Sequence, residues 1–220
     1  MKRNDFYQQV YNSLAEAPDF PGEKLARLLE TMPPGSRDLP ARIYLLPFGE
    51  DAGEAVPYAR TATALFCSAL IQDDILANDA FSEAEAVLYG DYLFALAISL
   101  LPPAAKKETY LPLLEQMSRA SEKRAARKNK GEPADGGEHG DFFRFLAADS
   151  ADRAGLDEEE KERFADLAET IGALWGVLRE GDPADAAPLR RKIKEKAALV
   201  SGGEELLRLT ERWRTKGGER

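Results

Sequence analysis

Histidine and cysteine are almost missing: His139 and Cys67 are the only ones in 220 residues. One thiol cannot form a disulfide within the chain, so no disulfide framework is expected, and this usage fits a reducing cytoplasm. One imidazole excludes histidine-rich zinc sites and any Ser-His-Asp triad built away from residue 139. His139 falls in the run GEPADGGEHGD and reads as a solvated loop residue. Cys67, beside Leu65, Phe66, Ala69 and Leu70, reads as a small buried hydrophobe. Long apolar runs are missing too: no stretch of about 18 uncharged apolar residues occurs, so no transmembrane segment is expected. The start MKRNDFYQQV has basic residues but no apolar core, so no signal peptide is expected. Cations are outnumbered, 30 Lys and Arg against 39 Asp and Glu, for a net charge of −9. A general nucleic-acid or anionic-membrane binder does not fit that balance, although a local basic patch does. Period-2 runs of Val, Ile and Thr, the signature of strands, are absent.

The rest is helical in pattern. With 44% apolar and 31% charged residues, the composition suits a soluble globular chain, and its length suits one domain with a sizeable core. Asn4 is placed to cap a helix carrying Phe6, Val10, Tyr11 and Leu14. Pro21 to Met32 sets Leu25, Leu28, Leu29 and Met32 on one stripe, which MPPG ends. Glu54 to about Asn78 is apolar around much of its circumference and predicts a buried central helix. Ser82 with Glu85 forms a capping-box pattern that opens a second buried helix through Leu101, and the tight join predicts antiparallel packing of the two. Lys106 to Lys130 begins amphipathic and ends in the basic SEKRAARKNKG, read as a solvated helix end or an anion or partner contact. Residues 131–140 read as a flexible linker. A helix over 141–154, a long one with acids in its first turn ending at Gly181, and two more split by SGG complete the pattern. The expectation is an all-α chain, one helical bundle over residues 1–220.

The segment ALFCSALIQDDILANDAFSEAEAVLYGDYLFALA sets two adjacent aspartates, Asp73 and Asp74, in an apolar run without a cation. Burying carboxylates costs several kcal/mol unless something pairs with them. An Asp-Asp pair alone is a weak motif, because aspartate at this frequency produces about one by chance. A helical magnesium clamp needs carboxylates three or four residues apart. Four residues beyond Asp73 and Asp74 stand Ala77 and Asn78, so the cluster is one carboxylate short. Weak Mg²⁺ binding with waters, a helix cap, or bonds to nearby backbone all remain open for the pair.

At these residues the chain resembles the trans-polyprenyl diphosphate synthases of the isoprenoid-synthase type. ALIQDDILAND resembles the family's first aspartate-rich segment and AVLYGDYLFALA the helix that follows it, with PPGSRDLPARIYLLPFGE ahead of both. The resemblance covers roughly residues 20–182 and is strongest over 35–101; it implies a shortened isoprenoid-synthase bundle. It implies magnesium-assisted ionisation of an allylic diphosphate and attack by isopentenyl diphosphate, chemistry that needs three anion-handling devices. The isopentenyl diphosphate ligands of the family, a lysine, an arginine and a histidine, match Ser36, Leu39 and Phe66; the intermediate arginine survives as Arg37. The first metal motif keeps Asp73 and Asp74 but has Ala77 third. The second matches IGALWGVLREGDPAD, where Trp175-Gly176 is followed by Arg179-Glu180, with Asp182 nearby; a cation there repels magnesium. The product-length positions match Ser68 and Ala69, small residues that imply an open tunnel for a long chain.

Together these losses imply a noncatalytic or regulatory subunit, like the small chain of two-component heptaprenyl and hexaprenyl diphosphate synthases. Such a subunit requires no cofactor, or weak Mg²⁺ at most. It completes the helical dimer interface and lines the product tunnel of a catalytic prenyltransferase, with a polyprenyl chain as ligand. Phe81, Tyr89, Tyr92 and Phe94 are candidate interface anchors, or plain core. The alternatives are a divergent Mg-dependent terpenoid synthase or prenyltransferase, with Glu180 or Asp182 in a second site, and a homodimeric isoprenoid-binding protein. Each reading is cytoplasmic.

Overall fold

The apolar residues of 56–73 surround nearly the whole helix rather than one stripe, so that helix is buried on most sides and anchors the first half of the chain. The structure is a computed structural model and describes residues 22–30, 32–33, 36–49, 52–73, 81–101, 110–131, 136–180 and 185–213. The helix expected from Asn4 to Leu14, Asp74, and the stop at Gly181 lie outside them. Among the described residues there are nine α-helices and no strand. Contacts divide the chain into two compact units, Met1–Met32 with Ser36–Tyr110, and Pro33–Gly35 with Leu111–Arg220.

In the first unit α1 (Gly22–Glu30) and a 3₁₀ turn (Ser36–Asp38) lead to the short α2 (Leu39–Leu45). Further 3₁₀ turns (Leu46–Phe48 and Ala52–Ala55) precede α3 (Val56–Asp73) and α4 (Glu83–Leu100). Pro40 in the first turn of α2 fits there because its missing N–H is not needed. Tyr44 stacks on Phe48 and on Tyr58, with ring centroids 6.5 and 6.1 Å apart, joining α2 to the start of α3. The capping box at α4 is present as expected: the Ser82 hydroxyl accepts from the Glu85 N–H, and the Glu85 carboxylate accepts from the Ser82 N–H at 3.0 Å. The antiparallel packing of α3 on α4 is also present. Thr61 Oγ1 donates to the Ala97 carbonyl at 3.3 Å and Ser68 Oγ to the Gly90 carbonyl at 2.8 Å, so ascending numbers on one helix meet descending numbers on the other. Cys67 of α3 is buried, and desolvation pushes its thiol up to about 12.

The second unit holds α5 (Leu111–Lys130), α6 (Gly137–Ala154), α7 (Glu158–Glu180), α8 (Ala186–Ala197) and α9 (Gly203–Glu211). Phe164, Leu167, Ala168, Ile171, Leu174, Trp175 and Leu178 of α7 are all buried, the face that the periodicity predicts. Helices α6 and α7 are antiparallel and very close. A Cβ on Gly172 would stand 2.7 Å from the His139 carbonyl oxygen and 2.6 Å from Phe143 Cδ2. Gly136 has φ +76°, and a Cβ there would meet the Ala173 carbonyl oxygen at 2.2 Å. Only glycine permits that backbone contact. Outside the contact, Arg144 bonds Asp166 at 2.8 Å, Glu169 at 2.9 Å, and Glu162. Arg190 of α8 donates to the carbonyls of Thr210 and Trp213, satisfying the end of α9.

Two expectations are corrected in this unit. Residues 137–140 are helical, not linker, because the glycines there serve the approach of α7 instead of a turn. His139 is accordingly buried, with its ring edge-on to Trp175 at 4.8 Å, and not a solvated loop residue. The basic end of α5 is held within the chain in part: Lys123 pairs with Asp141, and Arg127 with the buried Glu138 at 2.9 Å.

Candidate functional site at the end of helix α3

Asp73 is the last described residue of α3, and Asp74 lies outside the described residues. Among the described residues no group of three or more His, Cys, Asp or Glu is arranged to hold a metal ion.

One turn back, Ser68 is buried and its hydroxyl is engaged by the Gly90 carbonyl. Ala69 beside it is half-buried. Gln72, which the sequence pattern does not mark, reaches across to the same place: its Nε2 donates to Asp91 at 3.3 Å. A Cβ on Gly90 would lie 2.6 Å from Gln72 Cγ. The Gly90-Asp91 dipeptide is therefore a helix-crossing device: glycine makes room for Gln72, and aspartate receives its amide. The sequence signal for it is the pairing of a bare glycine with a hydrogen-bonding residue on the facing helix.

Lys24 of α1 also escapes the sequence reading. Its ammonium pairs with Glu85 at 2.5 Å and stands 5.9 Å from the Phe81 ring centroid. Hydrogen bonds from Lys24, and from the Ser82 backbone and hydroxyl, hold the Glu85 carboxyl down at about 2. Phe81 is buried against Tyr89, with centroids 6.0 Å apart, and Phe94 meets Tyr110 edge-on at 6.1 Å. Of the four candidate anchors, Phe81 is core. The large apolar side chains that α4 does expose are Val87 and Leu88.

The positions matched to the isopentenyl diphosphate ligands are closed to solvent. Leu39 is 0% exposed, Ser36 1% and Phe66 5%. Arg37 is exposed and faces Asp38 at 3.5 Å, while Arg42 approaches the same carboxylate at 3.7 Å. Burial raises the Asp38 carboxyl, and the two arginine charges only partly offset it. In the second unit, at the second motif position, the Arg179 guanidinium lies over the Trp175 ring, 5.4 Å from its centroid. A cation stacked there is opposite in charge to the metal-binding carboxylate that the resemblance calls for.

No family model matches the chain, and no curated protein does. Solved structures do. A geranyltranstransferase from Methanosarcina mazei aligns over 96% of this chain and 96% of its own, with a TM-score of 0.65 and 16% identity. A deletion mutant of the heterotetrameric geranyl pyrophosphate synthase of mint aligns over 94% and 96%, at 0.64 and 17%. The geranyl diphosphate synthase small subunit of Antirrhinum majus aligns over 94% and 98%, at 0.51 and 16%. With only helices among its described residues, this chain has the all-α isoprenoid-synthase fold of those prenyltransferases.

Proposed function

We propose that this chain is a noncatalytic or regulatory subunit of a long-chain polyprenyl diphosphate synthase, a single isoprenoid-synthase-like domain working in the cytoplasm. It packs against a catalytic prenyltransferase, completes the helical dimer interface and lines part of the product tunnel near Ser68 and Ala69. The observation that carries this reading is the burial of Leu39 and Phe66, where active relatives carry charged or polar ligands. An apolar side chain sealed in the core cannot hold a diphosphate, and each lost charge-assisted bond forfeits about 1.5–3 kcal/mol. Arg179 over Trp175 supports it from the second motif. Subunit pairing has a parallel in the similar structures, one from a heterotetrameric synthase and one a small subunit. Asp73 and Asp74 are then vestigial, with weak Mg²⁺ affinity at most, and no cofactor is required.

Co-expression with an intact trans-prenyltransferase is expected to give a stable heteromer, while the isolated chain releases no pyrophosphate. Asp73→Asn with Asp74→Asn is expected to leave the assembled activity within about twofold. Magnesium-dependent pyrophosphate release by the chain alone, or a roughly tenfold loss in the double variant with assembly intact, overturns the reading.

A further inference from the structure

Carboxylates outnumber cations in this chain, and exposed cations on several helices find them. Arg119 pairs with Glu115, Lys123 with Asp141, Arg163 with Glu159 and Arg208 with Glu204. Helix α8 gathers three that do not: Arg191, Lys192 and Lys194 are exposed, and none enters an ion pair among the described residues. The sequence carries the same imbalance on a larger scale. Residues 186–220 hold 10 Lys and Arg against 5 Asp and Glu, although the whole chain holds 30 against 39. Cations in a last turn complement the helix dipole, which accounts for Lys194 and Lys196; Arg191 and Lys192 stand too early in the helix for that.

Helix α8 buries Ala186, Ile193 and Ala197. The opposite face runs from Pro188 through Arg191 and Glu195 to Leu199, with Lys192 and Lys194 at its two edges. Leu199 is 64% exposed on the turn that follows the helix. Its N–H donates to the Lys196 carbonyl at 3.0 Å, and a Cβ on Gly203 would stand 2.4 Å from the Ala197 carbonyl oxygen, so the turn is held closely. A convex helix with basic edges and a projecting leucine suits a surface that is anionic at its head groups and apolar beneath. Nucleic acid suits it less. A single strand needs an aromatic platform, and Trp213, the one aromatic of residues 186–213, is 1% exposed; a duplex engages the cations and leaves Leu199 in water. We propose that the outer face of α8, with Leu199 at its tip, is a peripheral contact for an anionic lipid bilayer, the cations on lipid phosphates and the leucine inserted below them. Among the described residues no helix is long and apolar enough to cross a membrane, so the contact is with the surface. It stands apart from the proposed function and does not rest on it.

The test floats the full-length chain with vesicles of phosphatidylcholine, alone or with about 30% phosphatidylglycerol. Binding to the anionic vesicles is expected to be at least about tenfold stronger than to the neutral ones and to be lost in about 0.5 M salt. Arg191→Gln with Lys192→Gln and Lys194→Gln should weaken it about tenfold or more, and Leu199→Ser about fivefold. Glu195→Lys, which adds positive charge to the same face, should strengthen it about tenfold. All these side chains are exposed, and circular dichroism checks that each variant is folded. Equal binding to neutral and anionic vesicles overturns the proposal, and so does a folded chain that floats with neither. Binding that survives the triple change puts the contact elsewhere on the chain and overturns it too. Binding that falls with the cations but ignores Leu199→Ser makes the face a general anion contact without insertion, which also overturns it.

Discussion

Two antiparallel helix pairs, α3 with α4 and α6 with α7, meet closely by different means. In the first, side-chain hydroxyls bridge the gap, Ser68 to the Gly90 carbonyl and Thr61 to the Ala97 carbonyl. In the second the gap is removed: backbone touches side chain and backbone at Gly136, Gly140, Gly172 and Gly176. The outer faces differ in the same sense. Arg144 closes the α6–α7 pair with three carboxylates, whereas α4 leaves Val87 and Leu88 uncovered. One outer face is closed by ion pairs among the described residues; the other leaves two large apolar side chains in the open.

Alanine at the glycines breaks this comparison most sharply. Gly172→Ala forces a methyl group onto the His139 carbonyl and the Phe143 ring, and a loss of about 2–3 kcal/mol is expected. Gly136→Ala adds the strain of a left-handed backbone to a clash with the Ala173 carbonyl and is expected to cost at least as much. Gly90→Ala has its three nearest contacts on the exposed Gln72 side chain, which must turn away and give up Asp91, but gains about 1 kcal/mol of helix propensity, so its net loss is expected to be smaller, about 1 kcal/mol. Urea midpoints measured at an unchanged slope decide it; equal losses at positions 90 and 172 would erase the distinction.

Ser68→Ala sharpens the comparison at a smaller scale. Removing one buried hydroxyl bond is expected to cost about 1 kcal/mol and to lower the urea midpoint without unfolding the chain. If stability does not move, the hydroxyl is a passenger and not a bridge.

Arg144→Met is expected to have the smallest effect, below about 1 kcal/mol, because every member of that cluster is partly exposed and salt screens it. Its signature is in pH. Burial pushes the Asp166 carboxyl up, but the hydrogen bond from Arg144 and the charge of Lys196 outweigh it and leave the group lowered. A lowered carboxyl contributes stability above its unfolded value of 3.8 and loses it as pH falls through the folded value. The wild-type advantage over Arg144→Met should therefore be present at neutral pH and fade in acid. An advantage that is flat from pH 7 to about 2 would remove the ion pairs from the account.

The helices were legible in the sequence because burial writes a 3.6-residue period, and the Ser82–Glu85 cap marks one start. Residues 137–140 were misread for a physical reason. Glycine that bends a chain and glycine that lets another helix through look alike in composition, and only the facing helix, here Gly172 and Gly176, separates them. His139 was carried into the wrong class by its glycine neighbours. Of the four aromatics offered as interface anchors or plain core, Phe81 is core and the other three are half-buried, while the large apolar side chains α4 exposes are Val87 and Leu88. Around Asp73, the missing third carboxylate was visible, but the contact of Gln72 with Asp91 joins residues nineteen apart and leaves no local trace.

The lone thiol has a practical consequence. Cys67 is buried on α3 and raised to about 12, so alkylating reagents and peroxide find almost no thiolate while α3 is closed. Its rate of modification therefore reports how much of the time α3 is open, a built-in gauge of the first unit's local stability.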